Sequence, residues 1–478
     1  MLDKLKELES QARKLEVSGQ EAEHLIIEAG RHARQFVDGL EEAQTYTAGS
    51  PDPAPWSAGF SDQAGHIREL LDVVSSGVNT LGINPASGGH LGYIPGGGVF
   101  PSAVGDFLAD VGNRFAGIEF ASPGAVQMER SLVQWMAGLV GYPEGAGGDL
   151  TSGGSIANLT ALVTAREARG ISARDIPNSS IYLTAQAHHC IDKALCVAGM
   201  AECPKRIVPM DGGYRMDATA LEKMIREDRA EGLNPWLVVA SAGTTDTGAI
   251  DPLPAIAPIA RDQGLWLHLD AAYGGFFLLC EEGREVLSGL EAADSIVMDP
   301  HKGLFLPYGS GALLVRNVHD LARAHGYEAN YMLDAREASQ EYSPADLSAE
   351  LSRPFRGMRL WLPLKLFGLA PFRAALSEKI WLARYFHQRI SDMPGFEAGP
   401  RPDLSVVTYR YVPENGDADA FNRRLLQEVL SDGKVFISST RLDGRFVLRL
   451  AVLHYRTHKS TIDYLLDLLS ETARRLVG

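Results

Sequence analysis

The chain has 478 residues, 45% of them hydrophobic, which exceeds what one core usually holds and points to one large unit with smaller ones attached. Its formal net charge of -15 argues against a nucleic-acid or anionic-membrane surface, since either demands clustered Lys and Arg, while leaving room for a local phosphate site. Cys190, Cys196, Cys203 and Cys280 have no metal-ligand or disulfide-framework spacing; with no apolar signal core after Met1 and no run of ~18 apolar residues, the expected location is cytoplasmic, off the membrane.

From Leu2 to Leu40, charged and apolar residues alternate at helical spacing, which predicts one or two amphipathic helices. The stretch Ala48 to Phe60, AGSPDPAPWSAGF, reads as a linker. The front of the chain is thus an arm, able to pack on a partner subunit or to fold back on its own chain. Between Asn84 and Gly98, NPASGGHLGYIPGGG has a density of glycine that suits a tight turn or the lining of a cavity.

In TSGGSIANLTALV, Thr151 to Val163, the residues Ile156, Leu159, Leu162 and Val163 share a helical face. Ser152-Gly153-Gly154-Ser155 precedes them as turn and N-cap, where unpaired backbone N–H groups and the Ser155 hydroxyl suit a phosphate. An ordinary capped helix has the same look, and the lysine of a P-loop is missing.

From Ser180 to Asp299 short apolar runs alternate with helical stretches, which predicts a mostly parallel sheet covered on both faces. The runs are Ile181 to Thr184, Trp236 to Ala240, Leu265 to Leu269 and Ile296 to Met298, with helices such as Leu221 to Arg229 and Leu253 to Gln263 between them. Ligands collect beyond the carboxyl ends of such strands. The four runs end near His188, near Thr244-Thr245, at Asp270 and, after the Asp299-Pro300 break, at Lys302. Each residue alone reads equally well as structural: a satisfied histidine, a capping aspartate, a lysine snorkelling from a loop. In apolar surroundings, however, Lys302 is expected to be pushed toward the neutral amine, a nucleophile for aldehydes.

The shared strand-end position is what pyridoxal 5′-phosphate (PLP) requires: a lysine for its aldehyde, a carboxylate for its ring nitrogen, a planar group over its ring and an anion cradle. Lys302, Asp270, His188 and Gly154-Ser155 supply them.

With these residues in place the sequence resembles the group II PLP-dependent amino acid decarboxylases, which include aromatic L-amino acid and glutamate decarboxylases. The resemblance runs from about Gly89 to Phe367 through IPGGG at Ile94, ASPG at Ala121, SGGSIAN at Ser152, QAHHCIDKA at Gln186, AGTTDTGAID at Ala242, HLDAAYGG at His268 and DPHKG at Asp299. It implies that Lys302 binds the cofactor covalently, Asp270 pairs with the ring nitrogen, His188 stacks on the ring and Ala272 touches its other face. It further implies cofactor contacts from Gly153, Gly154, Ser155, Thr245 and His301. Two departures bear on the site. Asp299 stands where the family commonly has Asn, placing a carboxylate near a phosphate. Gly96 stands where the aromatic enzymes commonly have Thr, so Gly96 to Gly98 are expected to open that wall.

The resemblance thus implies an α/β, fold type I enzyme: an N-terminal helical arm and linker (1–88), a large PLP-binding domain (89–370) and a small C-terminal α/β domain (371–478). The last has strand candidates Ser405 to Tyr411, Val435 to Ser438 and Phe446 to Val452, an Asp443-Gly444 hairpin signal and a helix from Ser460. A homodimer with sites near the subunit interface is implied as well. The expected reaction is α-decarboxylation of an L-amino acid, with an aromatic one as the choice, to amine and CO₂. The same cofactor can also serve aldehyde-forming decarboxylation–deamination or a carbon–carbon lyase. A dinucleotide-binding protein is the reading outside this class, but no G-x-G-x-x-G follows a strand and opens a helix.

Arg323 to Glu350 has few apolar anchors and many charges and reads as a mobile loop. Within it Tyr331 matches a loop tyrosine of the resembling decarboxylases, at the same spacing beyond the lysine, where aldehyde-forming relatives commonly have Phe. It is the candidate acid that protonates the substrate's Cα after CO₂ leaves; Tyr327 and Tyr342 lie in the same stretch.

Overall fold

Short apolar runs fold into a seven-stranded sheet in the computed structural model, which describes residues 1–57, 59–326 and 342–477. Its strands are β1 (Gly147–Thr151), β2 (Ser179–Leu183), β3 (Lys205–Ile207), β4 (Asn234–Ser241), β5 (Trp266–Asp270), β6 (Ser295–Met298) and β7 (Gly311–Val315). The spatial order is β1-β7-β6-β5-β4-β2-β3. Strands β2 to β6 run parallel, while β7 is antiparallel to both β6 and β1. Because successive side chains alternate, Leu237 and Val239 of β4 enter one core and Val238 and Ala240 the other. Helices cover both faces, so the strands are apolar throughout. The chain reverses its progress across the sheet between β2 and β4, where a crevice opens at the strands' carboxyl ends. This is the α/β architecture of fold type I.

A second, four-stranded antiparallel sheet joins Phe396–Ala398, Val406–Tyr411, Ser438–Leu442 and Arg445–Ala451, in the order first, second, fourth, third. It has its own core, including Phe386, Leu425, Leu448 and Leu466. The hairpin at Asp443-Gly444 is present, both residues having positive φ (49° and 77°) as a tight two-residue turn requires. The strand expected at Val435 to Ser438 is displaced to Ser438–Leu442. The apolar residues Val435, Phe436 and Ile437 instead pack beside the glycine-rich stretch, where Leu91 N–H donates to the Phe436 carbonyl at 2.8 Å and Leu91 enters this core. That stretch is therefore threaded between the two sheets.

At the front, α1 (Leu2–Ala12) and α2 (Gly19–Asp38) form as the periodicity predicts, α2 opening with a Ser18/Glu21 capping box. Helix α3 (Ile67–Gly77) is tied to α2 by Glu28, which is 5% exposed and bonded to Arg68 at 2.7 Å. The stretch read as a linker holds one short helical turn, Ala54–Ser57, begun by the Asp52 side chain accepting from Ala54 N–H. Helix α4 (Phe100–Gly112) follows the glycine-rich stretch and α5 (Pro123–Val140) packs toward β1. No helix among the described residues is long and apolar enough to cross a membrane.

Candidate active site

The side-chain alternation of β5 sends Leu267 and Leu269 to one core and Trp266, His268 and Asp270 to the opposite face. On the neighbouring β6, Ser295 pairs with His268 and Val297 with Asp270. Helix α6 (Gly154–Ala168) lies on this face. Its buried side is built from Ala157, Ala161 and Ala165 with Asn158 and Leu162; of the predicted Ile156–Leu159–Leu162–Val163 face only Leu162 is fully buried, and Ile156 is 37% exposed. Small residues at every fourth position bring the helix axis close to the sheet, so α6 delivers its N-terminus and Asn158 directly over the ends of β5 and β6.

A cavity of about 350 Å³ opens at those strand ends, a size that suits a small cofactor. Gly153, Gly154, Ser155, His188, Thr245, Asp270, Ala272, His301 and Lys302 all line it. Gly153, rather than a serine, is the N-cap of α6, and no side chain caps the helix. The amides of Gly154 and Ser155 thus sit in the first turn, where the helix itself provides no acceptor. His188 is half-buried, and its Nδ1 accepts from Cys190 N–H at 3.3 Å, which leaves the proton of the neutral ring on Nε2. Burial holds His188 below the usual histidine value, against the pull of Asp270. Burial likewise lowers His301, whose Nδ1 lies 2.5 Å from the Ser310 carbonyl. Asp270 Oδ1 accepts from Ala272 N–H at 3.1 Å and Oδ2 from the Asn158 amide at 3.3 Å.

Two expectations are corrected here. Lys302 is not pushed toward the neutral amine. Burial acts in that direction, but Asp299 and Asp270 outweigh it and hold the ammonium above its ordinary value. Asp299 Oδ2 is 3.1 Å from Lys302 Nζ and 3.7 Å from His301 Nε2, and the side chain is 1% exposed. The glycine wall is also not open at Gly96 and Gly97. A Cβ on Gly96 would run into the His301 carbonyl oxygen, and one on Gly97 would sit 2.6 Å from His454 Nε2. These two glycines permit close approach of backbone to backbone and to an imidazole, whereas a Cβ on Gly98 would meet nothing nearer than Pro307 at 3.9 Å.

Tyr331 and Tyr327 lie outside the described residues. Of the stretch read as a loop, Val318–His325 forms a helix that includes Arg323, and Tyr342 donates to or accepts from His319 Nδ1 at 2.9 Å. Sequence reading missed Asn158, Gln186 and Cys190, which also line the cavity. Burial pushes the Cys190 thiol up to about 12, so it acts as a weakly polar wall and not as a nucleophile.

The donor set fits PLP. A lysine, a carboxylate and an uncapped helix start face one cavity, and a side chain on Gly154 would strike Asp299 Oδ2 (2.8 Å) and Ala272 Cβ (3.3 Å), closing the cradle. Comparisons with known proteins agree. Residues 72–412 match the model of the pyridoxal-dependent decarboxylase conserved domain. The chain is 37% identical over 372 residues to an aromatic-L-amino-acid decarboxylase of Bacillus atrophaeus, covering 77% of each protein. It is 30% identical over 442 residues to a phenylacetaldehyde synthase of Arabidopsis thaliana, covering 89% of each. In three dimensions it is similar to Oryza sativa TDC crystallised with PLP and tryptamine, with a TM-score of 0.91 and 26% identity over 97% of this chain and 99% of that one.

Proposed function

The chain belongs to the pyridoxal-dependent decarboxylase family, and on that premise we propose that it removes the α-carboxyl group of an aromatic L-amino acid, yielding the amine and CO₂. It is a PLP-dependent amino acid decarboxylase. The observation that carries the site is the convergence of nine residues from five segments on one cavity. The aromatic choice rests on the Bacillus relative and on the tryptamine-bound rice structure.

When bound, PLP supplies an aldehyde that captures amino groups and a ring that accepts electrons from the substrate's Cα. The chain's residues would do the rest. Lys302 Nζ would hold the cofactor covalently, and the amides of Gly154 and Ser155, beside Gly153 and with the Ser155 hydroxyl, would hold its phosphate. Asp270 would keep a proton on the ring nitrogen. His188 and Ala272 would confine the ring, and Thr245 and His301 would complete its contacts. Tyr331 would protonate the substrate's Cα after CO₂ leaves, which excludes the aldehyde-forming outcome.

The active form in this reading is a cytoplasmic homodimer. Helix α4 leaves Phe100, Phe107, Leu108 and Val111 between 46% and 70% exposed, and α1 leaves Leu5 and Leu8 more than half exposed. Covering the exposed half of such side chains contributes roughly 1 kcal/mol each, and a second copy is the occupant this reading assigns. The division into arm (1–88), large (89–370) and small (371–478) domains belongs to the same reading. The four free cysteines suit a reducing compartment.

The test is incubation of the purified protein with a panel of amino acids while CO₂, amine, aldehyde and ammonia are measured together. Amine and CO₂ in equal amounts from an aromatic substrate are expected. Aldehyde with ammonia would assign the aldehyde-forming reaction instead, and carbon–carbon cleavage without CO₂ a lyase. Tyr331→Phe is expected to keep CO₂ release while moving product from amine toward aldehyde and ammonia; an unchanged amine yield in air would remove Tyr331 from the chemistry.

A further inference from the structure

Behind Asp270 lies a row of buried polar side chains that the proposed chemistry does not use. Trp266 is 4% exposed, and Ser295, His268 and Asn158 are fully buried. Trp266 Nε1 donates to Ser295 Oγ at 2.8 Å, and Ser295 Oγ is 2.8 Å from His268 Nδ1. His268 Nε2 is 2.7 Å from Asn158 Oδ1, and the Asn158 amide nitrogen is 3.3 Å from Asp270 Oδ2 and 3.2 Å from Cys190 Sγ. The row exists because Trp266, His268 and Asp270 share one face of β5, Ser295 is register-paired with His268, and α6 sets Asn158 against both.

The chemistry of the donors fixes the direction of every bond in the row. From the far end, an indole nitrogen can only donate, so Ser295 accepts from it and has its own proton free for His268 Nδ1. From the near end, the Asn158 amide must turn its NH₂ toward the Asp270 carboxylate, because a carbonyl oxygen there would face a negative charge. Its Oδ1 then accepts from His268 Nε2–H. Burial holds His268 down to about 4, so the ring is neutral and carries one proton. The near end demands one tautomer, Nε2 protonated and Nδ1 accepting, and the far end supplies the proton that Nδ1 then accepts. Four residues therefore form one chain of donors, all aimed at a single carboxylate, and successive hydrogen bonds of this kind polarise one another.

We propose that Trp266, Ser295, His268 and Asn158 act as a positioning relay that stabilises the negative charge of Asp270, so that the proton it shares with the cofactor's ring nitrogen stays on the nitrogen. This rests on the assignment of Asp270 to that nitrogen. None of the four touches the reacting atoms; they act through Asp270. Lys302, His188 and Cys190 face the same carboxylate from the other segments of the cavity.

The relay is tested on the holoenzyme by nitrogen NMR, with ¹⁵N-labelled histidine for the tautomer and ¹⁵N-labelled PLP for the ring nitrogen. In the wild type His268 should show a protonated Nε2 and a bare Nδ1; a protonated Nδ1 would overturn the proposal, and this measurement needs no variant. In Ser295→Ala, and in Trp266→Phe should the first variant fold poorly, the ring-nitrogen signal should move toward its unprotonated position. PLP affinity should fall with it, by less than the roughly tenfold loss that removing a hydrogen bond made directly to a charged group causes. Unchanged signal and affinity in a folded variant would sink the relay. Asp270→Asn separates the two layers of argument. If it shifts the ring-nitrogen signal and the relay variants do not, the relay alone fails. If Asp270→Asn leaves the signal in place, the assignment of Asp270 itself fails.

Discussion

At the residue scale the decisive pair is Asp299 and Lys302, three positions apart on one turn and joined at 3.1 Å. Asp299 Oδ1 has no hydrogen-bond partner among the described residues, so the carboxylate's main engagement is with the ammonium it stabilises. Replacing it by Asn removes that stabilisation, and the Lys302 amine should be freed at lower pH. Covalent attachment of PLP, followed by visible absorbance and fixed with borohydride, should reach its midpoint roughly one pH unit lower in Asp299→Asn than in the wild type. An unmoved midpoint would show that Asp299 does not govern Lys302. Attachment should vanish in Lys302→Ala, and labelling at any other lysine would reassign the site. His90 offers a second residue-scale check. It is 2% exposed, neither ring nitrogen has a partner among the described residues, and burial lowers it from 6.5 to about 4. Its folded-state value lies below the unfolded one, so its contribution is complete above pH 6.5 and is lost as pH falls toward 4. His90→Leu should therefore lose less stability than the wild type between those limits, as read by urea unfolding at pH 7 and pH 5. An identical loss would exclude His90 as an acid-sensitive group.

At the scale of elements, Arg353 ties Glu129 of α5 to Asp149 of β1, at 3.0 and 3.2 Å, with all three side chains at most 3% exposed. Arg353→Met leaves two carboxylates buried together and should cost ~3–5 kcal/mol, visible as a lowered urea midpoint; a change below ~1 kcal/mol would mean that the carboxylates are neutral without it. The elements also show what the sequence could carry. Strands β2, β4, β5 and β6 were legible because a strand buried on both faces is an unbroken apolar run, and their ends located His188, Asp270 and Lys302. The buried face of α6 was not legible, because Ala157, Ala161 and Ala165 add little hydrophobic signal although they decide how near the helix can lie. Asn158, His268 and Ser295 were hidden for another reason: a polar residue inside an apolar run acquires meaning only from a partner on a different element. The Asp299–Lys302 spacing was visible, yet the weight of apolar neighbours drew the reading toward a neutral amine. Gly96 was misread because a sequence shows that a side chain is missing without showing what fills its place.

For the whole molecule, the homodimer proposed above should depend on the exposed apolar side of α4. Phe107→Lys together with Val111→Asp is expected to give a monomer with reduced PLP affinity in sedimentation and titration measurements; an intact dimer would move the interface elsewhere. The stretch from Asn84 to Gly98 links the molecule's parts, since it is bonded to the smaller sheet at Leu91 and pressed between His301 and His454 at its glycines. Gly96→Thr should therefore destabilise by roughly 1–3 kcal/mol and weaken PLP binding, without admitting larger substrates. This closeness also constrains which substitutions can accumulate. Any side chain at position 97 collides with an imidazole contributed by the far end of the chain, and the backbone there has a φ of +100°, so a change is strained even where His454 has become smaller. Position 97 is thus expected to stay glycine among descendants of this sequence whatever happens at position 454, which makes it a fixed point of the chain's history rather than a free dial for specificity.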